Sequence, residues 1–139
     1  MNLYKQFETN ADLEKTGVVI EYGNNSDGKV ISFRVARAGG RNTAYLSYLE
    51  NKLKPHRRMI QMDTMDQKLF ENIVMDAFAT TVVLGWEGVE DRKGNLLPYT
   101  PNNAMSLFND LPDLYKDLQE QSTKVALFRN EVLEVDIKN

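Results

Sequence analysis

Apolar and polar residues alternate with period two near the start of this chain and recur at helical spacing from the middle onward. Residues 18–22, Val-Val-Ile-Glu-Tyr, are β-branched and aromatic, as strands favour. Residues 23–28, Gly-Asn-Asn-Ser-Asp-Gly, are turn formers throughout. Downstream, Ile31, Phe33 and Val35 alternate with Ser32, Arg34 and Ala36, which predicts a second strand with one apolar face. Residues 17–37 therefore read as a β-hairpin. A lone hairpin is marginal in water, so this one must lie on helices or join another sheet. Residues 1–16 are polar with scattered Leu3, Tyr4, Phe7 and Leu13, and read as a short helix or an arm, flexible or ordered.

Residues 41–136 read as helical. Gly39-Gly40 breaks the strand. Asn42 or Thr43 can cap a helix to about Leu53, with Tyr45, Leu46, Leu49 and Leu53 on one face. Pro55 ends it, and His56-Arg57-Arg58 follows as a basic connector. Asp63 is the expected N-cap of the next helix, with Asp66 at its third position. Met65, Leu69, Phe70, Ile73, Val74, Ala77, Phe78 and Thr81 make a wide apolar stripe, the best core candidate. Thr80 to Val83 is β-branched, so helicity should fade toward Leu84-Gly85-Trp86. A turn at residues 91–95 leads to Thr100-Pro101, a capped helix start. That helix presents Ala104, Leu107 and Phe108. Pro112 opens the last helix, where Leu111, Leu114, Leu118, Gln121, Val125, Phe128, Val132 and Val135 are spaced alternately by three and four. This is a heptad seam with one polar member, suited to intramolecular packing or to a partner helix. Trp86, Pro98, Tyr99 and Pro101 read as a rigid structural joint between the long helix and the two that follow. The expected fold is α+β: a mostly helical single domain with an N-terminal β-hairpin packed on about four helices.

Charge adds a second axis. The net charge is −3, but residues 1–62 hold 10 Lys/Arg and 6 Asp/Glu (+4) while residues 63–139 hold 7 and 14 (−7). From Lys29 to Arg58 there are eight bases and one acid, Glu50. Such a two-ended field orients partners, or copies of the chain, on approach. The chain has no cysteine, which excludes disulfides and thiolate chemistry. No apolar run approaches the roughly 18 residues of a membrane span, and no signal-peptide pattern opens the chain. A cytoplasmic, membrane-free protein is the expectation.

Candidate chemistry is sparse. His56 is the only histidine, beside Arg57 and Arg58, and reads as a solvated surface residue. Glu87, Glu90 and Asp91 cluster near Trp86 but match no calcium-loop spacing. No phosphate-binding glycine motif or serine-nucleophile motif is present. The expectation is a non-enzyme with no cofactor, no metal and no catalytic residue. Arg34, Arg37, Arg41, Arg57 and Arg58, near Tyr45 and Tyr48, form a basic run. Basic surfaces with aromatics suit single-stranded nucleic acid, but a sequence pI near 5.2 and the helical placement of the tyrosines favour protein docking. Candidate partner contacts are therefore those five arginines plus Leu118, Val125, Phe128 and Val132 of the seam.

One resemblance emerges. Gly85-Trp86-x-x-Val89-x-Asp91-x-x-Gly94-x-x-x-Pro98-Tyr99-Thr100-Pro101-x-Asn103-Ala104, then Leu111-Pro112-Asp113-Leu114, resembles tail assembly chaperones of long-tailed, siphovirus-type bacteriophages. Arg37-Ala38-Gly39-Gly40-Arg41-Asn42 and Leu53-Lys54-Pro55-x-Arg57-Arg58 are similar to phage proteins of that group. The resemblance implies a protein that binds the tape measure protein, assists recruitment of the tail tube protein, and is absent from the mature virion. It also implies a frameshifted longer form; self-association, basic end to acidic end, is expected from the charge asymmetry instead. Two other readings fit the same residues: a structural tail or head–tail joining component, and a small nucleic-acid-binding regulator using residues 29–58.

Overall fold

The computed structural model describes residues 2–129. Two short helices open it, α1 (Leu3–Phe7) and α2 (Ala11–Thr16). Each is started by an asparagine: Asn2 accepts from Lys5 N at 3.0 Å, and Asn10 from Asp12 N and Leu13 N at 3.0 and 3.1 Å. The expected hairpin follows as β1 (Val18–Asn24) and β2 (Val30–Val35), with Val18 opposite Val35 and Ile20 opposite Phe33. A bulge between Glu21 and Asn24 adjusts the register at the turn.

The sheet has a third strand. Residues 83–87 form β3 (Val83–Glu87), antiparallel to β2, giving the order β1-β2-β3. This corrects the expectation that everything after residue 41 is helical. The β-branched run at Thr80 to Val83 does more than weaken the preceding helix. It feeds Val83 and Trp86 into a ladder where Trp86 lies opposite Phe33. The hairpin's partner is thus both helices and another strand.

Helix α3 (Ala44–Leu53) starts after Thr43, whose side chain makes no cap bond, while Asn42 is buried and donates to Arg37 O at 3.0 Å. Pro55 ends α3 as expected, but the chain stays coiled through a 3₁₀ turn, Lys54–His56, into α4 (Arg57–Gln61). Arg57 and Arg58 are therefore the first turn of a helix, and His56 is half-buried in the turn, which corrects the picture of a solvated connector. Asp63 does not cap the next helix either. Its φ is +54°, Asp63 N donates to Ile60 O at 3.1 Å and Thr64 N to Met59 O at 2.8 Å. That is a Schellman closure of α4, with Asp63 in the left-handed slot that Asp tolerates. The N-cap of α5 (Gln67–Thr81) is Asp66, which accepts from Leu69 N at 3.1 Å.

Helix α6 (Pro101–Asp110) starts as predicted: Thr100 Oγ1 accepts from Asn103 N at 3.0 Å, with Pro101 in the first turn. Helix α7 (Pro112–Thr123) follows after Leu111 alone. The core lies between one sheet face and the helices: Phe33, Val35, Phe78, Ala79, Val82, Val83, Ala104, Phe108 and Leu118 are buried together. Phe78 meets Phe108 and Tyr115 edge-on at 6.2 and 5.5 Å, and Tyr115 stacks on Phe108. Burial, with Tyr45 nearby, pushes the Tyr115 hydroxyl up to about 12. The molecule is an α+β single domain.

The heptad seam is not one helix. Helix α7 ends at Thr123, Lys124 is extended (φ −74°, ψ 115°), and a 3₁₀ turn, Val125–Phe128, follows. Ser122 and Thr123 hydroxyls donate to Gln119 O and Glu120 O, the local competition that weakens helix ends. The chain then folds back, with Asn10 N donating to Phe128 O at 2.7 Å. Val132 and Val135 lie outside the described residues.

Around Trp86, side chains of β3, the hairpin and the loop to residue 99 interlock. Trp86 Nε1 donates to Leu97 O at 2.7 Å, and its ring meets Phe33 at 5.5 Å and Tyr99 at 5.1 Å, both edge-on. Tyr99 OH reaches Ala79 O and Val83 O at 2.7 and 2.6 Å, satisfying carbonyls where α5 gives way to β3. Gly88 (φ +74°) crosses the hairpin so closely that a Cβ would sit 2.6 Å from Val30 O. Trp86→Ala should lower unfolding free energy by about 3 kcal/mol, the low end for a large aromatic because the indole is only half-buried. A denaturation midpoint within error of wild type would contradict this joint.

Candidate partner-binding groove and basic arm

The predicted contact residues do not form one surface. Arg34 is exposed on β2 but its guanidinium donates to Gly17 O and Thr16 O, at 3.3 and 3.4 Å, where a cation suits the C-terminus of α2. Arg37 forms an ion pair with Glu14, which is fully buried. Arg41 is exposed beside α1, where it shares a shallow depression with Leu3, Tyr4 and Phe7. Arg57 and Arg58 are exposed on α4, well along the chain from the other three. Of the seam, Leu118 and Phe128 are fully buried. They are core residues, a correction to their place in a partner surface: Leu118 packs from α7 into the cluster of Phe78 and Phe108, and the turn after Lys124 carries Phe128 back to Asn10. Val125 begins the 3₁₀ turn, and Val132 is outside the described residues.

Glu14 explains the Arg-Ala-Gly-Gly-Arg-Asn run. Burial alone would raise its pKa, but the Arg37 side chain, the Thr9 hydroxyl and the Arg41 backbone N–H together hold it below the ordinary 4.5. Gly40 (φ +59°) leaves room for the pair: a Cβ there would lie 2.5 Å from the Arg37 guanidinium and 2.7 Å from Glu14 Oε1. Arg37 N also donates to Glu14 O, and Ala38 N to Ser122 O, at 2.8 and 3.0 Å. Arg37 and Ala38 thus tie α2, the segment after β2 and the end of α7 together.

Two of the three acids near Trp86, Glu90 and Asp91, serve the fold, and Glu87 is exposed on β3. Asp91 Oδ1 accepts from Lys93 N and Asn95 N at 2.9 and 3.0 Å, closing the turn. Glu90 accepts from Ser26 Oγ at 2.5 Å and from Ser26 N at 2.9 Å, bonds that lower its pKa and pin the hairpin turn to this loop. Among the described residues, no group of three or more His, Cys, Asp or Glu is placed to hold a metal ion. No helix among them is long and apolar enough to cross a membrane. Tyr48 OH donates to Asp76 at 2.8 Å and Tyr45 is half-buried against the core, so neither ring is presented as a platform for bases.

Two other surfaces stand out. The first is a groove between the 88–97 loop and α6. A cavity of about 580 Å³ has Leu97, Leu107 and Leu111 in its walls, with Asp91, Asn103 and Asp110 at the rim. A second, of about 360 Å³, shares Glu90, Leu107 and Leu111 with it and runs on over Tyr22, Ile31, Val89 and Leu114. Leu111 at the corner of α6 and α7 is 48% exposed. Volumes of this order are typical of binding clefts; the first is lined by seven polar or charged residues around three leucines, and the second is mostly apolar. The second surface is the arm made by the 3₁₀ turn and α4, where Met59, Ile60 and Met62 are exposed next to Lys54, Arg57 and Arg58. Sequence periodicity missed both surfaces. Leu111 was absorbed into the heptad seam, and the arm's apolar residues follow a proline that suggested a connector.

A family model described as YdaY prophage protein matches residues 40–139, well over half of the chain. The chain belongs to the YdaY prophage protein family. It is therefore phage-derived, as the resemblance implied at the coarser level. No curated protein and no solved structure matches the chain. The YdaY match takes in the arm, the Trp86 joint and α6, whereas the hairpin that closes the apolar end of the groove precedes it.

Proposed function

We propose that this prophage protein is a non-enzymatic tail assembly chaperone, acting in the host cytoplasm. It holds apolar helical segments of the tape measure protein until tail tube subunits displace it. The observation that carries the reading is a coincidence of sequence and shape. Val89, Asp91, Asn103, Leu111 and Leu114 belong to the stretch that resembles such chaperones, and all five line the groove. A helix lying there would press its i, i+3 or i+4 side chains onto Leu97, Leu107 and Leu111. Fully burying one leucine or valine contributes about 1.5–3 kcal/mol, so a few such contacts give a hold that is firm yet displaceable.

Leu111→Asp tests this without endangering the fold. Leu111 is the N-cap of α7 and makes no side-chain cap bond. Aspartate there supplies the missing acceptor for α7 and places an acid at the C-terminus of α6; the two effects oppose, so the melting temperature should stay near that of wild type. Co-expressed with an apolar helical fragment of the tape measure protein from the same prophage, wild type should yield a soluble complex. Leu111→Asp should bind that fragment at least tenfold more weakly, equivalent to about 1.4 kcal/mol. Equal binding by both would remove the groove from the function. Stoichiometric recovery of the protein in purified mature virions would instead make it a structural component.

A further inference from the structure

Helix α1 has five residues, none of them buried. A helix this short is not stable in water by itself. Leu3, Tyr4 and Phe7 line a depression of about 370 Å³ with Glu8 and Arg41. Leu3 and Phe7 are four positions apart, so they share a helix face. These three large apolar side chains are 64–74% exposed. Grouped on open surface, they mark a place of contact.

The described chain finishes at this helix. The Arg129 guanidinium donates to Gln6 O within α1, and Asn10 N donates to Phe128 O at 2.7 Å just beyond it. Residues 130–139, Asn-Glu-Val-Leu-Glu-Val-Asp-Ile-Lys-Asn, start from that point. Ten extended residues span about 33 Å and α1 is about 7.5 Å long, so reach is ample. Four of the ten are apolar: Val132, Leu133, Val135 and Ile137. The charges also match. Glu131, Glu134 and Asp136 against Lys138 give −2, while Lys5 and Arg41 against Glu8 give +1 around α1.

We infer that residues 130–139 fold back over α1 and cover Leu3, Tyr4 and Phe7 with their own apolar side chains. Residues 2–7 and 130–139 then clasp each other, with Arg129 on Gln6 as the fixed point. Apolar burial on both sides supplies what a five-residue helix lacks. Leu3, Tyr4 and Phe7 do not line the groove, so the clasp and the proposed function can fail separately.

Cysteine trapping reads the contact directly, because the chain has no cysteine of its own. Leu3→Cys is combined in turn with Val132→Cys, Val135→Cys and Ile137→Cys, and each pair is treated with a short bismaleimide at low protein concentration. At least one pair should link within a single chain, giving a monomer whose two terminal peptides stay joined after digestion. No such link in any pair would overturn the inference. Links between chains that grow with protein concentration would also overturn it, by making a second copy the cover. Hydrogen exchange measures what the contact does. Leu133→Glu with Val135→Glu should speed exchange of the α1 amides about tenfold while β2 and α5 exchange as in wild type. Equal α1 exchange in variant and wild type would contradict the clasp. So would α1 protection that appears only when the tape measure fragment is added, which would give this face to that partner.

Discussion

Phe33→Ala is expected to lower the unfolding free energy by about 4 kcal/mol, within the usual ~3–5 kcal/mol for phenylalanine deletions in a core. Phe33 is 1% exposed on the central strand, between Tyr22 at 5.7 Å and Trp86 at 5.5 Å, both edge-on. It pairs with Ile20 on one side and Trp86 on the other. It also forms part of the wall of the 360 Å³ cavity, so truncation enlarges a space that already exists. Neighbours held by β-pairing, and by the Tyr22 hydroxyl on Asp117, cannot collapse into it. Phe33→Leu keeps most of the volume and should cost about 1–1.5 kcal/mol. Urea denaturation of both variants checks the pair. A loss below about 1.5 kcal/mol for alanine would mean that the sheet does not rest on the helices through this ring.

Arg37→Ala should cost about 3 kcal/mol. That is the low end for stranding one member of a buried pair, since the guanidinium keeps 18% of its side-chain surface in water while Glu14 keeps none. The pH dependence gives a sharper signature. In the wild type the folded Glu14 pKa lies below its ordinary 4.5, so the unfolded chain takes up this proton first as the medium is acidified. The pair's contribution is complete above pH 4.5 and is lost as pH falls through the depressed folded value. In Arg37→Ala, burial is no longer outweighed, and the folded pKa should rise above the unfolded one. That variant should recover stability on mild acidification, where wild type loses it. Adding Glu14→Gln to Arg37→Ala should restore part of the loss at neutral pH, because no charge is then left buried. Parallel pH–stability curves for wild type and Arg37→Ala would rule out this account of Glu14.

Local chemistry was legible wherever it was self-contained. Val18 to Val35 spells a hairpin through alternation and a turn run, and the strands form where that pattern places them. Thr100-Pro101 makes its own cap, because donor and acceptor are three residues apart. Asp63 and Asp66 are both good capping residues, and composition alone does not separate them. The choice falls on Asp66 because Asp63 is taken by the closure of α4, a helix that Pro55 seemed to preclude. A proline at the start of a 3₁₀ turn lets the chain re-enter a helix at once, so the arm was invisible to a rule that treats proline as a stop.

The candidate site was half legible. The stretch from Gly85 to Leu114 was distinctive in sequence and its resemblance pointed to phage, in keeping with membership of the prophage family. Its meaning as a groove was not accessible, since one wall comes from the hairpin some sixty residues earlier, through Tyr22 and Ile31. The heptad seam misled because regular spacing records which residues are apolar, not how far the helix that carries them runs.

The sequence by itself determined the hairpin, the apolar face of α5, the capped start of α6, the proline start of α7, the charge asymmetry and the α+β class. The hairpin turn, the helix face and the helix starts depend on residues close to one another in the chain, and the charge asymmetry on composition alone. Only the tertiary structure decided that Val83–Glu87 is a strand, that Arg37 serves Glu14 rather than a partner, and that Leu118 and Phe128 are core. Those outcomes turn on hydrogen bonds and burial between segments far apart in the chain. A β-branched run extends only if a strand lies beside it. An arginine is drawn in only if a buried acid awaits it. An apolar seam stays outside only if nothing nearer is there to cover it.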